Sequence, residues 1–142
     1  MSKKTALTVI MVVAICGIIF SGYLTYYNLL GPGCHKAIIS CGSNPVEILG
    51  LPQCVYGLAM YVIVAVLAGL AMRINSRKGL MTSIKVISLI GVLFAASLSY
   101  YELFVVETGV SGLPACVYGF FLYLVIFISA IIYKKEELIV NN

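Results

Sequence analysis

Gly50-Leu51-Pro52-Gln53-Cys54-Val55-Tyr56-Gly57 returns, with one change, as Gly112-Leu113-Pro114-Ala115-Cys116-Val117-Tyr118-Gly119. Seven of the eight positions are identical, and Tyr61 and Tyr123 extend the match at the same offset. The stretches that precede the two copies also end alike, as Tyr26-Tyr27-Asn28-Leu29 and Tyr100-Tyr101-Glu102-Leu103. A repeat of this kind marks a duplicated structural unit, here a helical hairpin used twice. Each copy places Gly-Leu-Pro at a helix entrance, where proline is tolerated in the first turn because its missing N–H would have no intrahelical partner.

Outward from the repeat, the rest of the chain is apolar. Of 142 residues 62% are hydrophobic and 10% charged, and the mean hydropathy is +1.10; a soluble domain carries about 25% charge. So little polar surface cannot cover a globule in water, so lipid must solvate most of the exterior. Apolar runs of about 20 residues, the length that crosses a hydrocarbon core of about 30 Å, occur at 6–30, 51–72, 84–106 and 113–133. The first is too long for the apolar core of a signal peptide, about 7 to 15 residues, and reads as a retained helix. The expectation is one all-α domain over residues 1–142, a four-transmembrane-helix bundle. Its two hairpins are parallel repeats related by an axis along the membrane normal.

Basic residues in short connections stay on the cytoplasmic side. Lys3 and Lys4, then Arg73, Arg77, Lys78 and Lys85, then Lys134 and Lys135 fall at the N-terminus, the second connection and the C-terminus, and only Lys36 lies elsewhere. Both termini are therefore expected in the cytoplasm, with the connections 31–50 and 107–112 outside. A net charge of +4 dispersed in this way is a topology signal and not a nucleic-acid footprint. One histidine and no aspartate exclude a bis-histidine haem and leave thiolates as the basis for any metal centre.

Four of the five cysteines, Cys34, Cys41, Cys54 and Cys116, lie on the outer side, where disulfides are permitted. Cys16 falls within the first span and reads as a small buried residue. Cys54 and Cys116 occupy matching first turns, where the positive end of the helix dipole favours a thiolate. If the repeat axis brings those turns together, the two approach the roughly 4.4–6.8 Å Cα separation of a disulfide. The duplicated motif is also accounted for as helix-start chemistry, with Cys and Gly as small packing residues. The first outer connection shifts the balance, because it is about a dozen residues longer than the second and holds Cys34-His35-Lys36-Ala37-Ile38-Ile39-Ser40-Cys41. Seven residues span about 10 Å along a straight helix, so joining Cys34 to Cys41 requires a bend, which Gly31, Pro32, Gly33 and Gly42 supply. His35 and Lys36 favour the Cys34 thiolate. Four outer thiols then divide into a loop pair and a membrane-edge pair between which electrons can pass by thiolate attack on a disulfide. A bridge that only stabilises the loop is the competing reading, and a Cys34, His35, Cys41 metal site is short of a ligand.

Taken together these residues resemble the vitamin K epoxide reductase family, whose bacterial and archaeal members work like the disulfide-generating protein DsbB. The likeness covers most of the chain. It lies in the four-span layout, the loop pair Cys34 and Cys41, Ser43 and Asn44 after it, the segment 45–49, and Gly50-Leu51-Pro52 leading to Gly57 and Tyr61. It continues from Tyr101 to Val106 into a cysteine-bearing fourth span. The resemblance implies that the loop pair exchanges electrons with a thioredoxin-fold, DsbA-like protein outside the cytoplasm. It also implies that a Cys-x-x-Cys opening the fourth span passes them to a membrane quinone of the menaquinone or ubiquinone type.

The chain departs from that pattern, because Leu113 stands where the first of those two cysteines belongs. Cys116 matches the second, and Cys54 is expected to supply the missing partner across helices. The expected catalytic set is therefore Cys34, Cys41, Cys54 and Cys116. A quinone needs an apolar slot with a few polar groups, and Tyr56, Tyr101, Tyr118 and Glu102 are candidates to line it. The tyrosines also suit an interfacial belt, and Glu102 also suits snorkelling. The expected protein is a multi-pass thiol–disulfide oxidoreductase of a prokaryotic plasma membrane that supports disulfide formation outside the cytoplasm. The contrasting expectation is a non-catalytic four-span scaffold or transporter-like module with structural outer disulfides.

Overall fold

A computed structural model describes residues 3–30, 47–48, 50–74, 77–104 and 115–140. Its elements are α1 (Lys3–Leu29), β1 (Glu47–Ile48), β2 (Leu51–Pro52), α2 (Gln53–Arg73), α3 (Arg77–Phe104) and α4 (Ala115–Val140). Every helix contains a stretch long and apolar enough to cross a membrane: Lys4–Tyr27, Gln53–Arg73, Gly79–Tyr101 and Ala115–Tyr133. The chain is a multi-pass integral membrane protein. Within an 18-residue apolar segment of each stretch, between 22% and 33% of the residues are buried inside the bundle, so most of their apolar surface is left for lipid.

Three of the four helices are longer than the apolar runs that announce them. α3 begins at Arg77 and not near 84, and α4 runs to Val140 and not 133. Lys, Arg and Glu are good helix formers, so charge ends an apolar run without ending the helix. α2 instead begins at Gln53, with Pro52 as its N-cap at φ −64° and ψ 142°, one residue outside the turn where the sequence places it. Pro52 belongs to a short antiparallel hairpin that the sequence does not announce, pairing Glu47 with Pro52 and Ile48 with Leu51. Gly50 turns that hairpin at φ 78°, a left-handed conformation that glycine adopts without the Cβ penalty.

Each helix packs against its two neighbours in a ring: α1 on α2 and α4, and α3 on α2 and α4. The buried residues repeat at alternating spacings of three and four, the seam of helices packed at a shallow angle. On α1 the central seam is Leu7, Ile10, Ala14, Gly17 and Ser21, with Ala6 and Leu24 also buried; on α3 it is Met81, Ile84, Ser88, Gly91 and Ala95. These two sets match position by position at a separation of 74. On α2 and α4 the seams are Tyr61, Val64, Ala68, Ala71 and Tyr123, Ile126, Ala130, Tyr133, matched at a separation of 62. The duplication read from eight residues therefore extends along the central seams of the core.

Candidate functional site

At the end of the bundle where α2 and α4 begin, the four helices enclose an open-mouthed cavity with an envelope of about 470 Å³, including its mouth. About 60 Å³ of it is wide enough for the centre of a water-sized sphere, several times the roughly 10–15 Å³ that one water requires. Its fourteen lining residues form seven matched pairs. Five pairs are identical: Phe20 with Phe94, Leu24 with Leu98, Cys54 with Cys116, Gly57 with Gly119 and Tyr61 with Tyr123. The other two, Ser21 with Ala95 and Gln53 with Ala115, differ, and both polar members belong to the first hairpin.

The two cysteines sit on the walls as thiols, each half-buried. Cys54 packs with Phe20 against the cluster of Leu24 and Ala115, so the first turns of α2 and α4 meet through a shared apolar contact. The lining on the α1 and α3 sides is aromatic. Phe20 rests against Tyr118 with ring centroids 6.0 Å apart and Phe94 against Tyr56 at 6.4 Å, with nearly equal interplanar angles of 56° and 57°. Tilted aromatic contacts of this kind are favourable beyond their buried area.

The floor is the pair Tyr61 and Tyr123, whose rings stack 4.2 Å apart at an interplanar angle of 10°. The Tyr61 hydroxyl donates to the Gly119 carbonyl at 3.1 Å, and the Tyr123 hydroxyl donates to the Gly57 carbonyl at 3.0 Å. Both rings are almost wholly buried. A methyl group placed on Gly17 would lie 2.5 Å from the Tyr61 ring, and one on Gly91 would lie 2.5 Å from the Tyr123 ring, well inside van der Waals contact. The two glycines are the seats of the two tyrosines.

Of the residues singled out in the sequence, Cys54 and Cys116 are brought to one cavity. Tyr56 and Tyr118 lie behind its lining, each against the phenylalanine of the opposite hairpin. Tyr101 is exposed near the end of α3 together with Tyr100, as are Tyr23 and Tyr26 near the end of α1, the positions of a membrane-interface belt. Glu102 falls in α3 with its side chain outside what is described, and Cys34 and Cys41 lie outside the described residues. Sequence reasoning missed Phe20, Phe94, Gly17 and Gly91. Carrying the Tyr-Tyr-x-Leu register backwards at its separation of 74 pairs Phe20 with Phe94 and Gly17 with Gly91, and that signal finds them.

The sequence pattern of the Vitamin K epoxide reductase family matches residues 8–132, nearly the whole chain. No curated protein and no solved structure matches it.

Proposed function

The chain belongs to the vitamin K epoxide reductase family and is a membrane oxidoreductase, and from that premise we propose that it transfers electrons from a thioredoxin-fold, DsbA-like protein to a membrane quinone. The route begins at Cys34 and Cys41. A thiolate of the reduced partner attacks the Cys34–Cys41 disulfide, a mixed disulfide forms, and the partner's second thiol resolves it. The partner leaves oxidised, and the loop pair holds two thiols. The same exchange then reduces a Cys54–Cys116 disulfide and regenerates the loop disulfide. Each exchange moves two electrons, so two thiols are gained wherever two are lost.

What carries this reading is that Cys54 and Cys116, from different helices, line one apolar, aromatic cavity. It supports the idea that Cys54 takes the place of the cysteine missing at Leu113. The cavity residues also suit a quinone head group: Phe20, Phe94, Leu24 and Leu98 offer apolar contact, and the tyrosine floor closes off the interior below. A quinone, when bound there, supplies an acceptor for two electrons and two protons. Cys116 is the thiol from which the electrons leave. Tyr56 and Tyr118 act by holding the phenylalanines, while Tyr101 and Glu102 are the further residues proposed to serve the quinone, Glu102 by passing protons. The quinone is of the menaquinone or ubiquinone type and the membrane is a prokaryotic plasma membrane, so the net result is disulfide formation outside the cytoplasm.

A single-turnover assay tests the proposal. Full-length protein given a reduced thioredoxin-fold protein and a soluble quinone should consume one quinone per dithiol, followed by quinone absorbance. No consumption, with the outer cysteines intact, contradicts the proposal and favours a scaffold whose disulfides only fix loops.

A further inference from the structure

Tyr61 and Tyr123 do more than fill the core. Filling alone is met elsewhere in this core by aliphatic residues such as Ile84 and Ile126. A buried phenol also needs a hydrogen-bond partner, and both hydroxyls find theirs across the bundle diagonal, on the helix that carries the other tyrosine. The ring neighbours fix α2 and α4 against α1 and α3, whereas the tyrosine pair ties α2 to α4 directly. Each acceptor lies three residues after a cysteine, Gly57 after Cys54 and Gly119 after Cys116, and residues three apart share a helix face.

We infer that Tyr61 and Tyr123 are positioning residues that hold the cysteine-bearing turns of α2 and α4 in mutual register and so set how readily Cys54 and Cys116 close into a disulfide. This rests on the reading of Cys54 and Cys116 as the inner redox pair. The two bonds oppose slippage in both directions. Each hydroxyl reaches to the residue four before the opposite tyrosine, so sliding α4 along α2 stretches one bond whichever way it moves. A one-residue slip amounts to about 1.5 Å, enough to break a bond that starts near 3 Å. The rings cannot tilt to follow, because each is held between its partner ring and the bare backbone of Gly17 or Gly91. Holding two thiols in a fixed mutual geometry raises their effective concentration toward one another.

The test is the thiol–disulfide equilibrium of the inner pair in full-length protein carrying Cys34→Ser and Cys41→Ser, poised against glutathione. In that reaction Cys54 and Cys116 lose two electrons and two protons as their S–S bond forms, and one glutathione disulfide takes them up to become two glutathione thiols. Tyr61→Phe and Tyr123→Phe, which keep the rings, are each expected to lower the equilibrium constant about fivefold, the worth of one neutral hydrogen bond, and the double variant at least as far as either single one, without simple additivity because the two rings are in contact. Tyr26→Phe and Tyr100→Phe, the matched exposed pair, should leave it within twofold. Should the double variant fail to fold, the single variants carry the test. If the disulfide forms in the Cys34→Ser, Cys41→Ser protein and the Phe variants hold the same constant, even with lowered thermal stability, positioning is overturned while the inner pair stands. If the disulfide does not form in any oxidising buffer, both are overturned.

Discussion

The two hairpins of this protein share a core and differ at the end where the cavity opens. Along the central seams, buried positions from Leu7 to Ser21 of α1 have buried counterparts on α3, and those from Tyr61 to Ala71 of α2 have them on α4. The separations, 74 for the first helices and 62 for the second, differ by the twelve residues that the first hairpin adds between its helices. Within the cavity the differences are Ser21 against Ala95 and Gln53 against Ala115. The polar member of each belongs to the hairpin whose connection carries Cys34 and Cys41. Duplication thus supplies two matched thiols in similar surroundings, and the first hairpin adds the polar Ser21 and Gln53 to the lining and carries two more cysteines in its connecting sequence. On the proposed relay, elaborating only one half of a symmetric chamber is what gives it a direction.

The comparison is broken most severely at the thiols. Cys54→Ser and Cys116→Ser should each reduce quinone turnover to background, and the double variant should be no worse than either, since residues that act as a unit are not additive. Leu113→Cys in the Cys54→Ser protein moves the missing thiol to the second hairpin and should restore turnover, measured by the same quinone absorbance assay. If Cys54→Ser alone leaves turnover intact, the cross-helix pair is wrong.

The matched glycines come next. Gly17→Ala and Gly91→Ala both press a methyl group into a tyrosine ring and should destabilise the protein by similar amounts, about 1–3 kcal/mol each, read from thermal unfolding in detergent. Markedly unequal losses would show that the two seats are not equivalent. Gly50→Ala affects only the first hairpin's turn. It forces a Cβ into the left-handed region at φ 78° and should cost about 1 kcal/mol, with no loss of the core repeat. The smallest effect is expected from Ser21→Ala, which copies the second hairpin's residue into the first. The Ser21 hydroxyl donates to the Gly17 carbonyl at 2.6 Å, a carbonyl the helix already uses, so the change should stay within about 1 kcal/mol.

The four spans, the duplication and the matched cysteines could be read from the sequence because each rests on local composition: an apolar run, a repeated motif, a proline at a helix start. Helix ends were less legible. α3 takes in the charged Arg77 and Lys78 as its first residues, and α4 continues past Lys134 and Lys135 to Val140. The cavity was half legible. Cys54 and Cys116 carry a visible motif, but Phe20, Phe94, Gly17 and Gly91 lie in stretches that are apolar throughout, where periodicity cannot separate the lipid-facing side from the seam. Tyr56 and Tyr118 stood out because they adjoin the cysteines in sequence. Two residues along a helix turn a side chain to another face, and both rings sit behind the lining and not in it.

The relay is tested most directly by mapping the cysteine linkages of the oxidised full-length protein. After blocking of thiols and digestion without reductant, mass analysis should find a cross-linked species joining the Cys54 peptide of α2 to the Cys116 peptide of α4, alongside a Cys34–Cys41 loop bridge. A Cys54 that remains fully alkylated while Cys116 is joined only to Cys34 or Cys41 would contradict the account.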